Sequence, residues 1–172
     1  MAPDTLKEIR LPSDPESAAR ARAEVRDWLG EEHPAYEPVR LAVSELITNA
    51  VRHARHQVAG GTGSAERAPL VLRLAVDGDR LRVEVTDRGL SAGIPRIRVD
   101  QALLLAESIQ VEPAFLLGEG GRGLAIVDML SEGNWGFHAN PEGPGWSVWC
   151  AITTEPPDLD SEHPRQGSIR TL

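Results

Sequence analysis

The chain has 172 residues, of which 41% are hydrophobic and 26% charged, a composition typical of one globular domain with short extensions. Its net charge of −8 argues against a nucleic-acid partner, because phosphate backbones are bound mainly by basic surfaces. No apolar run is long enough to span a membrane, no secretory leader opens the sequence, and the single Cys150 cannot form an internal disulfide, so we expect a cytoplasmic protein without a membrane partner.

The N-terminal third predicts a short strand and two helices. The lead-in, residues 1–12, has strand-like alternation around Ile9 and Leu11. Residues 13–16, Ser-Asp-Pro-Glu, combine a capping serine, an early proline and a glutamate three residues after the serine, which indicates a helix start. Apolar residues then recur at helical spacing until Gly30, and a second amphipathic helix follows from about residue 36 to about residue 56.

The remainder of the chain predicts mainly strands and turns. The segments follow in this order: a loop at 59–68, a β-hairpin with strands at 70–76 and 81–85, an irregular segment with a short helical patch at 99–109, a helix at about 123–130, strands near 135–138 and 146–153, and a tail that is rich in Pro, Asp and Ser. We expect the tail to be disordered because it has too little apolar surface to bury.

This order of elements predicts an α+β fold. We expect a two-layer sandwich in which helices cover one face of a mixed but mainly antiparallel sheet. The order lacks the strand–helix alternation of a doubly wound nucleotide-binding fold. The expected domain spans residues 13–153, preceded by the lead-in at 1–12 and followed by the tail at 154–172.

A carboxylate and a carboxamide lie four residues apart in the second predicted helix. Glu45 and Asn49 fall in the run Ser-Glu-Leu-Ile-Thr-Asn-Ala-Val-Arg-His at 44–53, here called the helix motif. A spacing of four places both side chains on one helix face. Together they can orient a hydroxyl and offer an oxygen ligand to a hard cation. Taken alone, the pair is more typical of a solvated polar stripe.

Two glycine motifs lie downstream. The first, residues 87–93, places Asp87 at a predicted strand end, where Gly89 lets the backbone approach a ligand closely; alone it also fits an ordinary turn. The second, residues 118–124, holds four glycines in six residues and opens a helix, whose free N–H groups and positive dipole end suit phosphate. A Walker-type loop is excluded because Lys7 is the only lysine.

The three motifs in this order resemble the histidine-kinase-like ATPase superfamily, also called the Bergerat fold. Within it, the chain is similar to the bacterial anti-sigma-factor serine kinases, over roughly residues 6–153. The resemblance implies that Glu45 is catalytic and orients or deprotonates the attacking hydroxyl, that Asn49 is the Mg²⁺ ligand, and that Asp87 accepts a hydrogen bond from the adenine amino group of ATP.

Other motif positions carry over as nucleotide-binding candidates. They are Arg52 and His53 of the helix motif, Gly89 and Gly93 of the first glycine motif, and Gly120, Gly121, Arg122, Gly123 and Leu124 of the second. The first glycine motif departs from the family at Ser91, where a second glycine is usual, and the next glycine is Gly93. This departure indicates either a rearranged turn or weakened nucleotide binding.

Two sets of residues outside the motifs have open interpretations. The arginines of the first helix form either a solvated face or a contact surface for a sigma factor, as the resemblance implies; they are Arg20, Arg22 and Arg26. The tryptophans are expected to be core or sheet-face residues. Because Trp146 and Trp149 point to opposite faces of one predicted strand, one of them is a candidate for exposure or a subunit interface.

The resemblance implies an ATP- and Mg²⁺-dependent serine kinase that is also an anti-sigma factor and regulates transcription. Its partners would be an anti-anti-sigma protein, as substrate, and a sigma factor, with homodimerisation left open. The alternative is a non-catalytic regulatory protein with weak or no nucleotide binding, which Ser91 motivates. A stand-alone domain that phosphorylates histidine is a third option, but the chain has no phosphoacceptor-histidine helix and no dimerising coiled coil.

Overall fold

The computed structural model describes residues 4–58, 68–88 and 122–154. Its elements in chain order are β1 (Asp4–Leu11), α1 (Ser17–Leu29), α2 (Tyr36–Val58), β2 (Leu70–Asp77), β3 (Arg80–Thr86), α3 (Arg122–Leu130), β4 (Trp135–Ala139) and β5 (Trp146–Thr153). The predicted second helix, the hairpin, the third helix and the last two strands are confirmed. The expected helical patch at 99–109, the loop at 59–67 and the tail from 155 lie outside the described residues.

The strands form one sheet in the order β1-β2-β3-β5-β4. Each of the four pairings between described strands is antiparallel, so the predicted α+β class is confirmed, and these pairings show no parallel component. The lead-in supplies β1, which pairs with β2 along its length and therefore belongs to the sheet. In the ranges described, no helix is long and apolar enough to cross a membrane.

The core lies between one face of the sheet and the helices. Because side chains alternate between the two faces of a strand, every second residue of β2, β3 and β5 faces α1, α2 and α3. The fully buried side chains come from both the sheet and the helices. They include Val25, Val39, Val43, Ile47, Leu70, Leu72, Leu74, Val83, Val127, Cys150 and Ile152. Each fully buried aliphatic side chain contributes about 1.5–3 kcal/mol, so this layer fixes the placement of α2 and α3 on the sheet.

The other face of the sheet carries charged and aromatic side chains. The Arg82 guanidinium lies 4.0 Å from the centroid of the Trp149 ring and 3.1 Å from the Glu84 carboxylate. A Cβ on Gly136 would meet that ring at 2.9 Å, so the indole lies directly against the backbone of β4. Trp149 therefore covers the face opposite the helices, whereas the sequence predicts only that Trp146 and Trp149 lie on opposite faces.

The start of α1 differs from the prediction. The sequence suggests Ser13 as cap with Glu16 in the first turn, but the helix begins at Ser17, and Glu16 makes no side-chain capping bond. Asp14 Oδ1 accepts the Ser17 N–H at 2.9 Å, while the Ser13 hydroxyl donates to the Ala68 carbonyl at 2.7 Å. The predicted capping hydroxyl thus donates to Ala68, two residues before β2, and does not cap the helix.

Candidate functional site

Helix α2 holds Glu45 and Asn49 at the edge of the core. Both residues are half-buried, whereas Leu46 and Ile47 between them are buried against the sheet. Within the part of the chain that the structure describes, neither the Glu45 nor the Asn49 side chain makes a hydrogen bond or an ion pair. Among the described residues, therefore, no polar contact of these two side chains holds the helix in place.

The start of α3 lies against Glu45. A Cβ built on Gly123 would lie 3.0 Å from Glu45 Oε2, a separation tighter than ordinary van der Waals contact. Gly123 is the second residue of α3, and only a residue without a side chain lets the helix end come this close to the carboxylate. The structure therefore brings together two motifs that are separated by about seventy residues in the sequence.

Leu124 anchors this helix end. Its side chain is 5% exposed and belongs to the hydrophobic core, so it packs and does not face a ligand. The first N–H groups of an α-helix have no intrahelical acceptor, and Gly123 and Leu124 lie in that first turn. The arrangement thus presents backbone donors and the positive end of the helix dipole beside the Glu45 carboxylate.

Asp87 is held by the beginning of β5. Its side chain is 7% exposed. The Asp87 N–H donates to the Trp146 carbonyl at 2.9 Å, and the Trp146 N–H donates to Asp87 Oδ1 at 3.3 Å. The first bond continues the antiparallel ladder by one residue beyond Thr86 and Ser147, so Asp87 and Trp146 are cross-strand neighbours. The second bond ties the Asp87 carboxylate to the backbone of β5.

The backbone and carboxylate of Asp87 leave no room for a side chain at residue 145. The φ of Gly145 is +102°, and a Cβ there would lie 2.2 Å from the Asp87 carbonyl oxygen and 2.4 Å from Asp87 Oδ1. Any other residue would displace the backbone that carries the carboxylate. The turn at 140–145 therefore shapes the site, although its sequence looks like an ordinary connection between two strands.

Further bonds fasten this turn to the end of β3. The Arg88 guanidinium donates to the Glu142 carboxylate at 2.6 Å. Asn140 is 7% exposed; its side-chain amide donates to the Pro144 carbonyl, and its Oδ1 accepts the Glu142 N–H. The turn is thus tied both within itself and to the residue after Asp87.

The other predicted site positions are placed less completely. Arg52 is half-buried on α2, His53 lies in the same helix, and Arg122 is the first residue of α3. The side chains of His53 and Arg122 are outside the described part of the chain, as are four glycines of the two motifs, namely Gly89, Gly93, Gly120 and Gly121.

A cavity of about 230 Å³ adjoins the site on the α1 side of α2. It is lined by Pro15, Ala18, Thr48, Val51 and Arg52. The lining includes Arg52 of the helix motif but neither Glu45 nor Asn49.

Sequence reasoning did not identify Gly145 and Trp146 as site residues. Each contacts Asp87, but Trp146 is 59 residues away in the chain, and only the β3–β5 register brings them together. The one local signal is Gly145 itself, a glycine directly before a strand. A glycine in that position is common in turns and does not reveal which residue it contacts.

The described residues fit a nucleotide with Mg²⁺. No group of three or more His, Cys, Asp or Glu side chains in the described ranges is arranged to hold a metal ion. Mg²⁺ is usually held by one or two protein oxygens together with phosphates, and the Asn49 carboxamide offers such an oxygen. The N–H groups at the start of α3 suit phosphate oxygens, and a carboxylate such as that of Asp87 can accept a hydrogen bond from an amino group.

Comparisons with known proteins agree with the motif order. The family model described as "Histidine kinase-like ATPase domain" matches residues 11–143. The chain is 29% identical over 128 residues to the serine-protein kinase RsbW of Oceanobacillus iheyensis, covering 73% of this chain and 74% of the relative. It is 30% identical over 128 residues to RsbW of Bacillus subtilis, covering 73% of each chain.

A solved structure supports the fold. A chain from the SiaB–SiaC complex of Pseudomonas aeruginosa superposes with a TM-score of 0.54, and the match covers 86% of this chain and 89% of that one. The sequence identity is 17%, so this likeness concerns the fold alone.

Proposed function

Because this chain belongs to the histidine kinase-like ATPase family, we propose that it binds ATP with Mg²⁺ and transfers a phosphoryl group to a serine of a partner protein. The similarity to proteins named serine-protein kinase RsbW supports serine as the acceptor. The observation that carries the proposal is the contact between Glu45 and Gly123, because it joins a carboxylate to the helix end that suits phosphates.

Each described site residue has a chemical task under this proposal. Asp87 accepts a hydrogen bond from the adenine amino group, and the first N–H groups of α3 bind phosphate oxygens. Asn49 offers an oxygen ligand to Mg²⁺, which when bound neutralises charge on the phosphates. Glu45 orients the serine hydroxyl and accepts its proton.

The remaining motif residues complete the proposed nucleotide site. Arg52, His53 and Arg122 are candidates for phosphate contacts. Five glycines of the two motifs are proposed to let the backbone approach the nucleotide, namely Gly89, Gly93, Gly120, Gly121 and Gly123.

The proposed partners are two proteins. An anti-anti-sigma protein would supply the serine, and a sigma factor would be held when that antagonist is phosphorylated, so the chain would regulate transcription without touching nucleic acid. The net charge of −8 agrees with the lack of a nucleic-acid contact. We place this activity in the cytoplasm, where such partners act, and a homodimer is compatible with it.

The second candidate is a non-catalytic regulatory protein with weak or no nucleotide binding. Ser91 favours it, because the family resemblance leads us to expect a glycine at this position and the chain has serine. The two candidates differ in one measurable property, the affinity for nucleotide.

The test combines calorimetry with a transfer assay. We expect the full chain to bind Mg·ADP, and to transfer labelled phosphate from Mg·ATP to serine of an anti-anti-sigma protein encoded in the same genome. Glu45→Gln should bind Mg·ADP like the wild type and lose transfer by about 100-fold or more, because a general base contributes that much.

Glu37→Gln is the matched control. It makes the same acid-to-amide change on α2, but Glu37 pairs with Arg40 on the surface and lies two turns before Glu45, so transfer should be unchanged. Absence of Mg·ADP binding by the wild type would exclude the kinase and favour the second candidate. Full transfer by Glu45→Gln would exclude the proposed role of Glu45 alone.

A further inference from the structure

Two aromatic rings stand on the helix-covered face of the sheet, beside Asp87. The Phe137 and Trp146 rings have centroids 5.6 Å apart and planes at 76°, an edge-to-face pair. Phe137 lies opposite Val148 in the β4–β5 register, and Trp146 precedes Val148 by two residues, so both share the face of the core residues Val148 and Cys150.

These rings are not part of the described core. Trp28 and Trp135 pack against the core cluster, but Phe137 and Trp146 are not among the residues that do so in the ranges described. Phe137 is 39% exposed and Trp146 is half-buried. The pair therefore presents aromatic surface on the side of the sheet that faces the helices.

The strand register fixes the relation between this surface and Asp87. Thr86 and Ser147 are paired residues, and their hydroxyls meet at 2.7 Å on the opposite face. The next pair, Asp87 and Trp146, therefore projects toward the helices. Directly opposed residues have Cβ atoms about 4.5–5.5 Å apart, so the carboxylate and the indole stand side by side. Gly145 adds no side chain between them.

From this juxtaposition we propose that the Trp146 indole packs on the base of the bound nucleotide, with Phe137 holding the indole edge-on. The inference rests on the ATP binding proposed above and assigns a residue that determines affinity for the base. An adenine whose amino group bonds to Asp87 lies within reach of the neighbouring indole, and a purine offers the flat π-face that an indole packs against. The contact favours purines over the smaller pyrimidine bases.

The test uses the intrinsic fluorescence and the Mg·ADP affinity of the full chain. In the wild type, Mg·ADP should change the tryptophan emission as it binds. Trp146→Leu should bind Mg·ADP roughly 10-fold more weakly, which corresponds to the loss of one base–aromatic stacking contact. Trp146→Phe keeps a ring at the position, so it should retain most of the affinity while losing the fluorescence change.

Trp149→Phe is the matched control. It removes an indole from the same strand, but that indole lies on the opposite face, against Arg82 and Gly136. Affinity and fluorescence change should both survive. Thermal melting of each variant confirms folding, and Trp146→Phe keeps the test decisive if Trp146→Leu does not fold.

Two results would overturn the inference while leaving the kinase proposal intact. One is wild-type affinity in Trp146→Leu; the other is a full fluorescence change in Trp146→Phe. Either would mean that the Trp146 indole does not pack on the bound base. If the wild type itself does not bind Mg·ADP, the proposed function fails first and the inference fails with it.

Discussion

At the scale of single residues, the site depends on two places where a side chain is missing. At Gly123 the missing Cβ lets the start of α3 lie against Glu45 Oε2, and at Gly145 it leaves room for the backbone and carboxylate of Asp87. The two glycines differ in conformation. Gly145 has a positive φ, whereas Gly123 lies in regular helix, where alanine is also allowed. A substitution at Gly123 can therefore disturb the contact with Glu45 without straining the backbone.

Gly123→Ala should leave stability unchanged or slightly raised, and should lower phosphoryl transfer. Alanine is favoured over glycine in a helix by up to about 1 kcal/mol, so the backbone does not suffer. The new methyl would lie 3.0 Å from Glu45 Oε2 and must displace that carboxylate by a few tenths of an ångström. We expect transfer to fall roughly 10-fold, since small misplacements of catalytic groups have effects of this order.

Thermal melting and the labelled-phosphate assay measure the two effects. Met129→Ala is the control. Met129 lies on the same helix and is 68% exposed, but it is near the end of α3, whereas Glu45 contacts the first turn. Measuring Mg·ADP affinity alongside separates a change in phosphate binding from a change at Glu45. Undiminished transfer by a folded Gly123→Ala would show that the close approach is not required for chemistry.

At the scale of elements, sequence periodicity predicts what lies within an element better than what joins two of them. The apolar stripe of α2 and the alternation of β2 and β3 are local patterns, and the structure confirms both. The start of α1 was predicted wrongly because Ser13 bonds to Ala68, 55 residues away. The capping pattern was present, but a tertiary bond determined which residue used it.

The candidate site shows the same division. Glu45, Asn49 and Asp87 can be proposed as site residues from motif order, because each motif is a local pattern in one element. The Glu45–Gly123 contact and the Asp87–Trp146 pairing cannot be predicted in this way, since they depend on how α2 packs on α3 and how β3 pairs with β5. Sheet register and helix packing are set by the whole core, so no local sequence pattern reports them.

The observed cap of α1 leads to a stability prediction. Asp14→Ala should lower the free energy of unfolding by about 1 kcal/mol, because Asp14 Oδ1 accepts both the Ser17 N–H and the Ser17 hydroxyl. Glu16→Ala should change it by less than about 0.5 kcal/mol, since Glu16 is exposed and makes only a surface ion pair with Arg20. Urea denaturation measures both. Equal losses would mean that Asp14 does not act as the cap.

At the scale of the whole molecule, β5 links the site to the core. It lies between β3 and β4, its first residue is Trp146 beside Asp87, and further along it carries Cys150 in the core cluster. Cys150 is fully buried and pairs with Val83 on one side and Trp135 on the other. Because neighbouring strands and helices enclose it, this thiol reaches solvent only when the sheet opens, and its reactivity reports on the global fold.

Burial raises the pKa of the Cys150 thiol from 9.0 to about 12, while the positive charge of Arg82 acts weakly in the opposite direction. The folded protein therefore keeps the thiol proton at a pH at which the unfolded chain has lost it. Stability from this group is fully present below about pH 9 and is lost as the pH rises toward about 12, by at most about 1.4 kcal/mol per pH unit. Alkali should thus destabilise the wild type more steeply than a chain without the thiol.

Comparison with Cys150→Ala tests this expectation. The variant should be less stable near neutral pH because it leaves a small cavity, and the difference from the wild type should shrink as the pH rises above about 9. Urea denaturation of both chains at a series of pH values measures the difference. In parallel, a disulfide reagent at about pH 8 should label the folded wild type only at its rate of opening, since the reactive thiolate is absent from the folded state. Rapid labelling without denaturant would show that β5 opens locally and that the thiol does not report on the whole sheet. A stability difference that does not vary with pH would show that burial does not raise the pKa of this thiol.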